Sequence, residues 1–304
     1  MWLTLAFLSA CLLGGYDIFK KHSVRENAVI PVLFFNTLFS SIIFLPFLVL
    51  SRASILEPSN LVYVGTTDLK TQGYIFIKSA IVLLSWFFAY IGVKHLPLSL
   101  VGPMQATRPV LVLVGAIFFF GENLNLFQWL GVIIAIISLY LLSQSGKKEG
   151  INFVHNRWIY CVGAGILFGA CAGLYDKYLM SPTLGLGLDR MAVQTYYNFY
   201  QTLLMGIAGI FLWFPYRSTQ PFQWRWGILG ISIFLSLADF VYLYALSLDD
   251  ALISVVSMIR RSSVIVSFTF AALILKEKNL RAKAVDLGLV LLSLLFLYVG
   301  SRMA

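Results

Sequence analysis

The chain has 304 residues, of which 60% are hydrophobic and only 12% are charged, with a formal net charge of +9. A soluble domain carries about 25% charged residues, so this composition excludes one. The excess positive charge is not a nucleic-acid footprint either. The basic residues lie mostly in short loops between apolar runs, where they set membrane orientation, and no basic stripe with interleaved aromatics forms a polar module.

A bilayer core needs about 20 apolar residues per helix. Runs of that kind occupy Trp2–Lys20, Val29–Leu50, Tyr74–Val93, Pro97–Phe120, Leu126–Leu142, Trp158–Met180, Met191–Phe214, Trp224–Leu246, Ala251–Leu275 and Val285–Val299. The expected fold is therefore an all-α membrane protein with ten transmembrane helices. The first run has no basic region before it and no small-residue cleavage site, so it is expected to be retained and not removed as a signal peptide. Links such as Lys94–Leu96 are short enough to force antiparallel helix pairs. A polar linker, Ser143-Gln-Ser-Gly-Lys-Lys-Glu-Gly, falls at the midpoint. It divides the chain into an expected repeat over residues 1–146 and a second over 151–304.

The two parts echo each other. Gly14-Gly15-Tyr16-Asp17 returns as Gly173-Leu174-Tyr175-Asp176. Phe120-Gly121-Glu122-Asn123-Leu124 returns as Leu275-Lys276-Glu277-Lys278-Asn279-Leu280. With five helices in each half, the second half enters the bilayer from the opposite side, which makes the repeat inverted. Such repeats place a substrate site near the midplane, between the halves. Counting basic residues puts the odd-numbered loops in the cytoplasm and both termini outside.

Three arginines sit deep inside apolar runs. An arginine at mid-bilayer costs about 2.5–3.5 kcal/mol on insertion scales, so each needs a partner or a task. Arg108 lies in Pro103-Met-Gln105-Ala-Thr-Arg108-Pro109, where two prolines interrupt the hydrogen-bond ladder and free carbonyls for polar neighbours. Arg260 and Arg261 follow one another in the ninth run and point in different directions, Arg261 with Ser254 and Ser257, Arg260 with Ser263 and Ser267. One can face a central cavity while the other pairs sideways. Asp17, Asp176 and Asp239 are the intramembrane carboxylates that fit coupling, charge balance, or fixed ion pairs with the arginines or Lys177. Gln105, Tyr16, Tyr175 and Tyr244 join the three arginines as candidate substrate-binding residues. Trp86, Tyr90, Tyr196, Tyr197 and Tyr242 are either cavity aromatics or packing.

The catalytic signatures of zinc proteases, serine hydrolases and nucleotide-binding loops are absent. None of His22, His95 and His155 lies in the middle of a run, so no metal site, catalytic residue or cofactor is expected. Cys11, Cys161 and Cys171 read as small apolar fillers and not as a disulfide framework.

Ten helices, the inverted five-plus-five repeat, Gly121-Glu122 with Gly131 and Lys276-Glu277 with Gly288 together resemble the drug/metabolite transporter superfamily, EamA type. The resemblance covers nearly the whole chain. It implies a secondary transporter of the exporter or exchanger kind, a bacterial inner-membrane location, and both termini in the cytoplasm, against the charge count. The stretch Met258-Ile-Arg260-Arg261-Ser-Ser-Val-Ile-Val-Ser267 is similar to the ninth helix of plastid sugar-phosphate/phosphate translocators, which hold phosphate with a Lys-Arg pair. That likeness implies that Arg260 and Arg261 are anion ligands. The expected partners are a small polar or anionic solute and the lipid bilayer, with pairing of two copies left open and nucleic acid excluded. The alternative is a non-transporting scaffold or sensor. In a transporter the arginines line a solvent-reachable cavity, whereas in a scaffold each is sealed by a carboxylate.

Overall fold

The computed structural model describes residues 2–120, 125–147, 151, 153–180, 185–246, 259–273 and 280–303. Among these residues the protein is all helical. In chain order the helices are α1 (Trp2–Val24), α2 (Val29–Arg52), α3 (Leu69–His95), α4 (Leu98–Ala106), α5 (Arg108–Phe120), α6 (Leu126–Lys147), α7 (Arg157–Met180), α8 (Arg190–Ala208), α9 (Gly227–Leu246), α10 (Ser263–Leu273) and α11 (Leu280–Met303). The echo around Glu122 and Glu277, and Ser254, Ser257 and residues 251–258 of the ninth run, lie outside the described residues.

This is a multi-pass membrane protein. Among the described residues, four helical stretches are long and apolar enough to cross a bilayer: Val29–Arg52, Leu69–His95, Arg157–Met180 and Arg190–Tyr216. Shorter apolar helices cover Leu126–Leu142, Gly227–Tyr242 and Ala284–Gly300. The bundle turns large apolar side chains outward, among them Phe7, Ile136, Phe211 and Leu295, as lipid demands. Inside, it buries hydroxyls that bond across helices. Ser9 donates to the Ala238 carbonyl at 2.8 Å, Ser138 to Asp286 at 2.9 Å and Ser293 to Gly131 at 2.8 Å. Small residues let backbones approach and bond in this way, because lipid offers them no competing partner.

The single helix expected over Pro97–Phe120 is instead two, broken at Thr107. Pro109 has no N–H to donate and its ring collides with the carbonyl four residues back, so the ladder cannot run through. The Thr107 hydroxyl donates to the Met104 carbonyl at 2.7 Å, and the Val110 N–H reaches back to Thr107 at 3.0 Å. A second break at Ser262, which lies 155 residues later, copies it. The Ser262 hydroxyl donates to the Ile259 carbonyl at 2.6 Å, and the Ile265 N–H bonds to Ser262 at 2.9 Å. No proline is needed there, because the hydroxyl itself competes for the carbonyl. The expected run to Phe214 also differs: α8 ends at Ala208 and continues as a π-turn over Gly209–Trp213 and a short 3₁₀ turn over Phe214–Tyr216. Pro215 ends regular helix at that point.

Helix pairing also shows a matching pattern. α1 packs on α9 as α7 packs on α3; α1 meets α10 as α7 meets α5; α2 meets α9 as α8 meets α3. α2 also packs on α8, and α6 on α11. Gly102 brings α4 close to Val264 of α10 and Gly14 brings α1 onto Val266, so α10 is wedged between α1 and α4.

Outside the bilayer, Asp68 caps α3 by accepting the Thr71 N–H at 3.1 Å. Hydrogen bonds from Thr71 hold its carboxyl below the usual carboxylate range. Because the folded value is the depressed one, this cap stabilises above the unfolded pKa and is lost as pH falls through the folded one. Amide exchange at Thr71 should therefore accelerate below about pH 4, beyond the intrinsic pH trend, and this step should be missing in Asp68→Asn.

Candidate functional site

Arg108 is the first residue of α5, released from its helix by the Thr107 break. Its guanidinium crosses to α7 and lies directly against Gly169, where a Cβ would coincide with it. One guanidinium nitrogen donates to Ser85 Oγ of α3 at 2.9 Å, and Ser85 donates in turn to the Gly165 carbonyl at 2.7 Å. Gly165 and Gly169 are one turn apart on the same face of α7. Gly169 leaves the space that the planar cation fills, and Gly165 lets α7 approach the α3 backbone at Ser85 and Ala89.

The tandem pair divides. Arg260 forms an ion pair with Asp239 of α9 and lies over the Tyr242 ring at 4.2 Å. Asp239 also accepts the Tyr197 hydroxyl at 3.1 Å. Arg261 makes no hydrogen bond or ion pair among the described residues, and its buried Nε is without a partner. It lies within electrostatic reach of Arg108. All three arginines remain partly accessible.

The other carboxylates are matched locally. Asp17 pairs with Lys20 one turn along α1 at 2.5 Å. Asp176 pairs with Lys78 of α3, whose ammonium lies over the Tyr197 ring at 5.3 Å. Lys20, Lys78 and Arg260 thus each have one carboxylate, whereas Arg108 and Arg261 have none within ion-pair distance among the described residues. The side chain of Lys177, which the sequence offers as a partner for the acids, lies outside the described residues. Sequence reading missed Lys78 because it stands near the start of its run, where a lysine normally reaches the headgroups. It also missed Asp286, at the edge of the last run, which is 2% exposed.

The remaining candidates scatter. Tyr16 is buried beneath Lys20, 4.4 Å from its ring centre. Tyr175 lies in an aromatic cluster and donates to the Tyr74 carbonyl at 3.3 Å. Tyr244 faces Arg190 at 5.5 Å, and the tyrosine that meets Arg260 is Tyr242, two residues earlier on α9. Gln105 is half-buried just before the break. The cleft between the starts of α3 and α8 includes Asp68 and Asp189, but both carboxylates are engaged as helix caps.

The EamA-like transporter family model matches residues 1–144. Residues 1–144 are thus similar to an EamA-type unit. The whole described chain shares its fold with a solved crystal structure at a TM-score of 0.64 and 12% identity, covering 99% of this chain and 98% of that one. An S-adenosylmethionine uptake transporter from Rickettsia bellii (strain RML369-C) is 24% identical over 188 residues, which are 60% of this chain. The chain spans 57% of that relative's length. In the EamA-type frame, Arg108 belongs to the matched half, while Arg260 and Arg261 lie beyond it.

Proposed function

We propose that this protein is a secondary transporter of small anionic metabolites, an exporter or exchanger that works by alternating access and performs no chemistry on its solute. Its ten helices form two inverted five-helix repeats, residues 1–146 and 151–304, in a bacterial inner membrane. The matched breaks at Thr107 and Ser262 and the duplicated helix pairing support the repeat. The observation that carries the function is the unmatched charge: two guanidinium groups, Arg108 and Arg261, lie within electrostatic reach of each other, and among the described residues neither has a carboxylate within ion-pair distance. In a low-dielectric interior such groups repel each other unless an anion joins them. Charge-assisted bonds from a guanidinium to a phosphate or carboxylate are short and often bidentate.

The sign of the charge also bears on the relative from Rickettsia bellii. S-adenosylmethionine carries a sulfonium and an ammonium against one carboxylate, so its net charge is positive. The unmatched arginines favour solutes of the opposite sign. The scaffold reading draws support from the Arg260–Asp239 and Lys78–Asp176 pairs, but it leaves Arg108 and Arg261 without a role.

Proteoliposomes loaded with unlabelled phosphate should accumulate radiolabelled phosphate by exchange. Glucose 6-phosphate should compete and S-adenosylmethionine should not. Arg261→Ala should weaken competition by anions about 10–100-fold, the worth of one charged hydrogen-bond set. Anion competition unchanged in that variant would remove Arg261 from the site. Gly169→Ala should behave as a milder Arg108 variant, with exchange reduced about tenfold or more, because the added methyl evicts the guanidinium from its slot. Native exchange in Gly169→Ala would show that the slot has no part in function.

A further inference from the structure

Helix α8 carries polar residues that the ion-paired cluster does not absorb. On the side facing α2 they are satisfied: Asn198 donates to the Gln194 carbonyl at 2.9 Å, and Thr202 meets Ser41 at 2.8 Å. Gln194 and Gln201 are different. They are 1% and 0% exposed, and among the described residues every polar atom of both carboxamides lacks a hydrogen-bond partner. A carboxamide has two donors and an acceptor oxygen, and burying one unpaired is costly. Packing alone would be met better by leucine.

Their placement gives these amides a task. At 100° per residue, positions 194, 197 and 201 form one stripe on α8, about 10 Å long. Its middle member, Tyr197, donates to Asp239 and lies under Lys78. One turn past Gln201, Met205 joins the apolar core that contains Tyr16 and Tyr90. The stripe therefore runs beside the ionic cluster and into the bundle interior, not toward lipid.

We propose that Gln194 and Gln201 bind the uncharged part of the solute, a group that offers both donors and acceptors, such as a polyol or the edge of a heterocyclic base, while Arg108 and Arg261 hold its anionic end. This rests on the anion-transport reading above. The amides are closed off here, so the solute meets them in another conformation of the transport cycle, when α8 moves relative to its neighbours. Inorganic phosphate, which has no such part, fills only the arginine end.

Two measurements test this, and the first does not depend on the solute. In a background with Cys11→Ala, Cys161→Ala and Cys171→Ala, single variants Gln194→Cys and Gln201→Cys in membranes should react with a charged methanethiosulfonate. Exposed Thr219→Cys serves as the positive control, and Ala238→Cys, packed against α1, should stay unlabelled. If both glutamine positions stay as unreactive as Ala238→Cys, the proposal is overturned. The second measurement is thermal stabilisation of purified protein by inorganic phosphate and by glucose 6-phosphate. The native protein should be half-saturated by glucose 6-phosphate at a concentration about tenfold lower than by phosphate, and Gln201→Leu should bring that ratio toward one while leaving the phosphate value unchanged. A ratio that Gln194→Leu and Gln201→Leu both leave intact overturns the assignment. If neither anion stabilises the native protein, the anion reading fails, and the thiol reaction alone decides whether the stripe lines a solute path.

Discussion

Arg108→Ala should bring anion exchange to background, a loss of about 100-fold or more, while the protein stays folded and inserted. The two halves of this expectation come from different neighbours. Loss of exchange follows from the charge: of the three arginines inside apolar runs, Arg108 and Arg261 have no carboxylate within ion-pair distance among the described residues, and the fixed guanidinium of Arg108 is pre-organised for an oxyanion. Retained folding follows from Ser85, whose hydroxyl already donates to the Gly165 carbonyl and keeps that bond when the arginine is gone. Removing an unmatched buried cation relieves a desolvation cost, so the melting temperature in detergent should hold or rise. Arg108→Lys should not restore exchange, because a point charge cannot span the slot between Gly169 and Ser85 as a planar fork does. Native exchange in Arg108→Ala with normal expression would sink the cationic-site argument.

Much of the architecture was legible in the sequence because membrane helices follow from length and apolarity alone. The proposed repeat rests on the echo of Tyr16-Asp17 in Tyr175-Asp176, and the breaks at Thr107 and Ser262 are spaced in keeping with it. The first break was readable from Pro109. The second was not, because a serine inside a helix usually bonds back without interrupting it. The arginines announced themselves, since each is expensive where it stands. Their partners did not, because pairing depends on which helices touch. Lys78 and Asp176 are 98 positions apart, and only the contact of α3 with α7 brings them together. Gly169 carries no chemical signal at all; its role appears only when a side chain from another helix fills the space a Cβ would take. Gln194 and Gln201 carry no distinguishing signal in the sequence, and their significance lies in the partners they lack among the described residues.

Asp239→Asn should be the most destabilising single change in the cluster. The carboxylate matches Arg260 and accepts from Tyr197, and Arg260 is only 13% and Asp239 only 17% exposed. The amide that replaces it still accepts from Tyr197 but cannot neutralise Arg260. Arg108, Arg260 and Arg261 then form a group of cations with no counter-charge on α9. Breaking one side of a buried pair costs about 3 kcal/mol, or roughly 5 °C in melting temperature for a chain of this size. The double variant Asp239→Asn/Arg260→Gln should recover most of that loss, since it leaves an uncharged hydrogen-bonded pair in the same place. A melting temperature that does not move in Asp239→Asn, or a double variant no better than the single one, would show that the pair contributes nothing to the fold. The double variant also separates two roles. If Asp239 couples solute movement to protons, the variant should still exchange phosphate but fail to accumulate it against a gradient when a pH difference is imposed. Accumulation as in the native protein would assign coupling to Asp176 or Asp17, whose lysine partners the double variant leaves untouched.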